Sequence, residues 1–334
     1  MASTDLTHDE EDIKFKEQIL SLPRESGFGN RYYYFFQNFW VTPSQIQSII
    51  SFQNNFQAKD SDVVVASLPK SGTTWLKALT FAIVNRHRFS SLEMDHPLLT
   101  SNPHELVPFF ELNVYVDTFL QFTKFNPLKM FEPRIFGTHI PFPSLAKSIK
   151  ESNCRIIYIC RNPFDTYVSY WNYMSKIISS SSLTPLTIED EFERYCKGIC
   201  HVGPFWDHIL SYWKESIARP NKILFLKYED LKEDADFHVK KIADFLGCPF
   251  TQEEEISGVI ENIINLCSFK KMKELEANKS GVLGSMNIEK KHYFRKAEIG
   301  DWVNYLSSSM VEKLSKIIEE KLSGSGLSFK VCPQ

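Results

Sequence analysis

The sequence predicts an α/β fold: a single domain with a central parallel sheet flanked by helices. Strand-like runs with apolar centres lie at 62–67, 134–138, 155–161 and 222–227, and helix-like amphipathic stretches separate them. Apolar runs of this kind are typical of strands buried on both faces, and their alternation with helices is typical of a parallel sheet. The 334 residues can bury a sizeable core, and no linker requires a second domain.

The remaining elements follow from hydrophobic periodicity. Helices are predicted at 75–84, 143–151, 165–176, 188–198, 205–216, 230–246 and 310–322. Residues 1–20 are polar and acidic and are predicted to be a disordered tail, so that the domain covers 21–330. The charged, glycine-containing segment 276–293 has no periodicity and is predicted to be a lid loop over the site or a disordered loop.

Composition excludes several classes of protein. Hydrophobic residues make up 43% and charged residues 24%, with a net charge of −3, so neither a nucleic acid nor a membrane is predicted as a partner. The N-terminus lacks the apolar core of a signal peptide, and no apolar run is long enough to span a membrane. Seven cysteines without framework spacing indicate a reducing, cytoplasmic location. Cys196–His201 lacks a second ligand pair, so no metal is predicted.

The most informative segment is Ser67–Lys77, a loop between a predicted strand and a predicted helix. Free N–H groups and the dipole at a helix N-terminus favour an anionic phosphate, and Lys70, Ser71, Thr73 and Thr74 add a cation and hydroxyl donors. The nucleotide-triphosphate pattern G-x-x-x-x-G-K-[ST] is absent, because Lys70 precedes Gly72. The loop therefore lies between a strand and a helix as a P-loop does, but its lysine lies at a different position in the motif.

Other segments with candidate site residues lie at strand ends, where open α/β sheets bind ligands. Arg161 ends one strand, with Ser169 two helical turns further on, and Tyr228 follows another strand. An ion pair of Arg161 with Asp165 is an equally good interpretation of that arginine alone.

Two further segments carry candidate cations and a base. Arg295-Lys296 suits a phosphate, although such a pair is more often solvated surface. His139 ends a strand and is a candidate general base, although a lone histidine is more often structural.

In order and spacing, the segments 67–77, 161–171 and 294–302 resemble the cytosolic sulfotransferase family over about residues 60–325. Gly203–His208 and Leu266–Phe269 resemble its plant branch, whose acceptors include flavonoids, hydroxyjasmonates and steroids. The resemblance implies an enzyme that transfers the sulfuryl group of 3′-phosphoadenosine 5′-phosphosulfate (PAPS), a co-substrate, to a hydroxyl of a small, largely apolar molecule.

The resemblance also implies roles for individual residues. The 5′-phosphosulfate would be held by Lys70, Ser71, Gly72, Thr73, Thr74 and Trp75, with Trp75 also near the adenine. The 3′-phosphate would be held by Arg161, Ser169, Arg295, Lys296 and the backbone of Ala297. The adenosine would contact Tyr228, Ser268, Phe269 and Met272, and the catalytic residues would be His139, Lys70 and Ser169.

This sequence departs from the family pattern in three places. Ala297 stands where the family has glycine, and Gly137 stands where many animal members have a second catalytic-site lysine. Val303, Ser307 and Ser308 replace residues of the animal dimerisation motif, of which Glu312 remains, so a monomer or a weak homodimer is expected.

These residues predict a metal-free reaction in which His139 deprotonates the acceptor and Lys70 stabilises the leaving oxygen. Phe142 and Tyr173 are predicted to line the acceptor pocket, and Tyr32–Phe36 with Trp40 are predicted to cap it or to serve in packing. The rival functions are a P-loop kinase or nucleotide triphosphatase, and a non-catalytic nucleotide-binding protein.

Overall fold

The computed structural model describes residues 17–28, 32–89, 94–116, 130–179, 187–284 and 287–330. Residues 17–20 are helical, and Ile19 is buried in the main core. The prediction of a disordered tail is therefore wrong for residues 17–20, because burial of the Ile19 side chain holds this segment against the core. Residues 1–16 of that prediction lie outside the described residues.

The strands are β1 Arg24–Ser26, β2 Tyr32–Phe36, β3 Phe39–Val41, β4 Val63–Ser67, β5 Ile135–Thr138, β6 Arg155–Cys160, β7 Ile223–Lys227, β8 Val282–Leu283 and β9 Ile288–Glu289. The helices are α1 Pro43–Asn55, α2 Thr73–Asn85, α3 Pro103–Leu106, α4 Lys147–Glu151, α5 Pro163–Ser179, α6 Ile188–Cys196, α7 Phe205–Ala218, α8 Tyr228–Glu233, α9 Ala235–Phe245, α10 Gln252–Ile256, α11 Val259–Leu266, α12 Phe269–Glu274, α13 Glu276–Lys279 and α14 Ser308–Leu322.

The central sheet has the order β5-β4-β6-β7, and every neighbouring pair is parallel. Successive residues of β4 point to opposite faces: Val64 and Ala66 join one apolar core, whereas Val63 and Val65 join the other. Both faces are covered, which explains the uninterrupted apolar runs of the sequence. The predicted fold class is confirmed, and the four predicted strands match within one residue at each end.

Sheet topology positions the site. From β4 the chain runs to β5 on one side and then crosses to β6 on the other. The carboxyl ends of β4, β5, β6 and β7 therefore meet at one edge, where doubly wound sheets bind their ligands.

Several features differ from the predicted elements: α1 and α10–α12 match no predicted helix, and only 147–151 of the helix predicted at 143–151 is α-helical. The single helix predicted at 230–246 is divided into α8 and α9, because Asp234 leaves the helical region and its side chain caps α9 by accepting from the N–H of Phe237. Strands β1, β2 and β3 form a three-stranded antiparallel sheet that the periodicity did not predict. Segment 276–293 contains α13 and the hairpin β8–β9 rather than unstructured loop, with 285–286 outside the described residues.

None of the helices within the described ranges combines the length and apolarity needed to cross a membrane.

Candidate active site

The loop between β4 and α2 has an unusual backbone conformation. Lys70 has φ +68° and Gly72 has φ +105°, both in the left-handed region. A Cβ on Gly72 would lie 2.7 Å from Cδ2 of Tyr228 and 3.2 Å from Cδ1 of Ile159. Glycine is therefore required at position 72 for its conformation and for its lack of a side chain, and the turn leaves the first N–H groups of α2 facing the carboxyl edge of the sheet.

A cavity of about 300 Å³ lies at this edge of the sheet. Most of the predicted site residues line it: Lys70, Gly72, Thr73, Thr74, Trp75, His139, Arg161, Ser169, Tyr173, Tyr228, Ser268, Phe269, Met272, Arg295 and Ala297. They come from segments as far apart in sequence as 70 and 297, and the fold gathers them at one place.

Lys70 lines this cavity with a partly buried side chain. Its Nζ lies 4.1 Å from the centroid of the Tyr173 ring. Burial, together with the positive charges of Arg295, Lys176 and Arg161, lowers the pKa of Lys70 to about 7. An anion bound beside Lys70 would favour its charged form.

His139 is held in one tautomer by the end of β4. Its Nδ1 lies 2.7 Å from the carbonyl oxygen of Ser67, which can only accept, so Nδ1 carries the hydrogen and Nε2 is left as an acceptor. Burial lowers the pKa of His139 well below its usual value, which keeps the ring neutral. The backbone N–H of His139 donates to Oε1 of Glu111 at 2.6 Å, and this bond fixes the residue in place. The geometry is that of a neutral general base.

Arg161 lies at the other end of the cavity. Its guanidinium is 4.7 Å from the centroid of the Tyr228 ring and 3.5 Å from Oδ2 of Asp165, and Nη2 donates to the carbonyl oxygen of Glu298. Its Nε is buried without a partner in the described part of the chain. The ion-pair interpretation therefore holds, and it leaves Arg161 with a free donor for a ligand.

Asp165 also fixes the turn that follows Ala297. Its carboxylate accepts from the N–H of Gly300 at 2.8 Å and from the N–H of Trp302 at 3.2 Å. Asp301, between them, is buried and accepts from Arg295 and Lys296. Although burial raises its pKa, the donors Lys296 and Arg295 more than offset this, so the pKa of Asp301 is lowered.

Two predicted donor-binding side chains do not line the cavity. The Lys296 side chain is 41% exposed and its Nζ lies 2.7 Å from Oδ1 of Asp301. Ser71 is buried, its N–H bonds the carbonyl oxygen of Leu68 at 3.3 Å, and its Oγ has no partner among the described residues. For both residues, a contact with the donor stays a prediction.

The acceptor-side predictions are partly corrected. Phe142 is buried elsewhere, with its ring 5.8 Å from that of Tyr212 and beneath the guanidinium of Arg219 at 5.1 Å, because the 3₁₀ turn 142–144 directs it towards α7. Tyr32–Phe36 and Trp40 are strand residues outside the cavity lining, with Tyr33 and Tyr34 buried and Tyr32 exposed, so a role as a cap stays a prediction.

The sequence did not reveal several cavity residues, among them His104, Phe109, Leu112 and Tyr293. A signal existed for one of them. Asn102 and Glu105 form a capping box at the start of α3, and that pattern in the sequence predicts a helix beginning directly before His104. No cluster of three or more His, Cys, Asp or Glu side chains suited to a metal ion occurs in the described ranges.

Comparisons with known proteins agree on one family. The sulfotransferase domain model matches residues 60–326. Cytosolic sulfotransferase 14 of Arabidopsis thaliana is 51% identical over 95% of this chain and 91% of its own length, and cytosolic sulfotransferase 15 of the same plant is 49% identical over 95% and 88%. The crystal structure of an Arabidopsis thaliana sulphotransferase superposes with a TM-score of 0.74, at 41% identity, over 96% of this chain and 97% of its own.

Two thirds of the chain or more is covered in each comparison, and the matched region contains the whole cavity lining from 69 to 297. The chain therefore belongs to the sulfotransferase family, as a PAPS-dependent enzyme of the plant cytosolic branch.

Proposed function

We propose that this enzyme transfers the sulfuryl group of PAPS to a hydroxyl of a small, largely apolar, ring-bearing acceptor, giving adenosine 3′,5′-bisphosphate. The observation that carries the proposal is the neutral, single-tautomer His139 in the same cavity as Lys70. The relatives' name also supports a cytoplasmic location.

The residues of the cavity suit the donor. The free N–H groups at the start of α2 and the hydroxyls of Thr73 and Thr74 suit the 5′-phosphosulfate. Arg295 and the free Nε of Arg161 suit the 3′-phosphate. Trp75 and Tyr228, whose rings meet edge to face at 5.6 Å, suit an adenine. When bound, the donor supplies an electrophilic sulfur and a stable phosphate leaving group.

The reaction then uses two side chains. His139 Nε2 accepts the acceptor's hydroxyl proton as the hydroxyl oxygen forms its bond to sulfur. Lys70 donates to the bridging oxygen as its bond to sulfur breaks and that oxygen takes the electron pair. Phe109, whose ring is 4.6 Å from the His139 ring, and Leu112 and Tyr173 supply an apolar wall for the acceptor beside the base.

Calorimetry tests the donor part of the proposal. Adenosine 3′,5′-bisphosphate should bind about 100-fold more tightly than ADP, because two guanidinium contacts to the 3′-phosphate are lost with ADP. Tighter binding of ADP would favour the rival kinase or triphosphatase.

A second assay tests the acceptor part with radiolabelled PAPS. The panel contains a flavonoid, a hydroxyjasmonate, a hydroxysteroid and a polar sugar. Transfer to the sugar alone would contradict the proposal of an apolar acceptor. Transfer to no member of a broader apolar panel would favour a non-catalytic binding protein.

A further inference from the structure

A buried lysine lies directly behind the cavity wall. Lys77, on α2, is fully buried, and its Nζ is 2.7 Å from the carbonyl oxygen of Val107 and 3.3 Å from Nδ1 of His104. It also lies 3.1 Å from the centroid of the Phe109 ring. Burial lowers the pKa of Lys77 well below its usual value. The three groups around its Nζ are nevertheless all electron-rich, so each of them suits an N–H donor.

Gly137 makes room for this lysine. A Cβ at position 137 on β5 would lie 2.5 Å from both Cε and Nζ of Lys77. The side chain therefore occupies space that exists only because residue 137 is glycine.

His104 connects Lys77 to the phosphate-binding loop. Its Nδ1 faces Lys77, and its Nε2 lies 2.9 Å from Oγ1 of Thr74, a cavity-lining residue. Burial, with the neighbouring amine of Lys77, lowers the pKa of His104 well below its usual value. A neutral imidazole carries one hydrogen, so the partners decide which nitrogen holds it.

We propose that Lys77 is a positioning residue that donates to His104 Nδ1 and so fixes the hydrogen of His104 on Nε2. His104 then donates to Thr74 Oγ1, and the hydroxyl hydrogen of Thr74 is left to donate into the cavity, towards the 5′-phosphosulfate. The inference rests on the proposed function for the identity of that ligand, but the direction of the two hydrogen bonds, from Lys77 to His104 and from His104 to Thr74, is a property of the free protein.

The first experiment uses no activity. Nitrogen-15 NMR of the nine ¹⁵N-labelled histidines distinguishes the two tautomers, and the signal absent from His104→Gln identifies His104. The Nε2–H tautomer is expected in the wild-type protein. An Nδ1–H tautomer or a charged ring overturns the inference, even if sulfuryl transfer is confirmed.

The second experiment is a double-mutant cycle. Lys77→Met keeps the unbranched side chain but removes the donors, and should lower kcat/KM for PAPS about tenfold, the usual effect of one charge-assisted hydrogen bond. In a Thr74→Ala background the same change should cost less than about twofold, because the two residues act through one chain of bonds. Independent, multiplicative losses would mean a structural role for Lys77 and would overturn the proposal.

Two more variants complete the design. Lys77→Gln retains an N–H donor without the charge, and should restore the Nε2–H tautomer and activity to within about threefold of wild type. Lys222→Met removes a half-buried amine that donates to the carbonyl oxygens of Ser152 and Cys154, away from the cavity, and should alter neither the tautomer nor kcat/KM. If no acceptor is ever sulfated, the proposed function fails, whereas the wild-type NMR measurement still decides this inference.

Discussion

The cationic side chains at the two ends of the cavity have opposite kinds of charged neighbours. At the reacting end, formed by Lys70, Thr74 and His139, the charged groups that shift the pKa of Lys70 are all cations. At the clamp end, formed by Arg161, Asp165, Arg295 and Asp301, each arginine is already paired with a buried carboxylate.

The difference reflects two tasks. A cation that must stabilise charge appearing during the reaction acts best when it is desolvated and has no competing anion. A site that must hold one phosphate throughout the reaction gains from donors fixed before binding, because less side-chain freedom is then lost. Changes at the reacting end should therefore affect turnover, whereas changes at the clamp end should affect stability and affinity.

The largest effect is expected for His139→Asn. The amide can still donate to the carbonyl oxygen of Ser67 but offers no acceptor in place of Nε2, so kcat should fall about 1,000-fold while the affinity for adenosine 3′,5′-bisphosphate changes little. Steady-state kinetics and calorimetry check this, with the exposed His87→Asn as the matched control. Near-normal turnover would remove His139 from the mechanism.

At the clamp end, Asp301→Asn should lower the free energy of unfolding by about 3 kcal/mol, because it leaves Arg295 without its buried partner. KM for PAPS should rise while kcat stays within about threefold of wild type. Denaturant unfolding and kinetics measure the two effects, and Glu193→Gln, which breaks the exposed pair with Lys313, is the control. A loss confined to kcat would contradict the comparison.

The pH dependence of bisphosphate binding should distinguish Lys70, at the reacting end, from the arginines of the clamp end. Because the pKa of Lys70 is about 7 in the free protein, the fraction of charged Lys70 falls as pH rises through 7. Binding of the bisphosphate favours the charged form, so its affinity should fall about five- to tenfold between pH 6 and pH 8. Lys70→Met should bind more weakly and lose most of this dependence. An equally steep profile in that variant would assign the titration to another group.

The smallest effect is expected at Ala297, which has φ +58°. Its carbonyl oxygen accepts from Lys232 at 2.8 Å and from the hydroxyl of Tyr228 at 3.3 Å, and these bonds hold it in the strained conformation. Ala297→Gly should relieve that strain and raise the free energy of unfolding by about 1 kcal/mol without changing kcat. Ala218→Gly, in helical conformation at the end of α7, should instead lower stability.

The sequence predicted well what depends on local pattern. The apolar strands, the loop containing Lys70 and Gly72 and the strand-end positions of His139 and Arg161 all follow from short segments. The errors arose where long-range packing decides. Phe142 is three residues from His139, yet a 3₁₀ turn directs it against Tyr212.

The residues that the sequence did not reveal depend on distant partners. Lys77 lies on a helix face that also carries Thr73, Thr74 and Thr80. Its environment is created by Val107, His104 and the missing side chain of Gly137. No spacing rule connects those four positions.

The bonds from Asp165 to the N–H groups of Gly300 and Trp302 join segments separated by 135 and 137 residues. Ribosomal synthesis therefore completes the phosphate loop, the base and all four central strands before the turn that closes the clamp end exists. Closing so long a loop costs only about 0.6 kcal/mol more for each doubling of its length, so the late segment can join a sheet that is already assembled. Affinity for the 3′-phosphate should thus be the last property that the growing chain acquires.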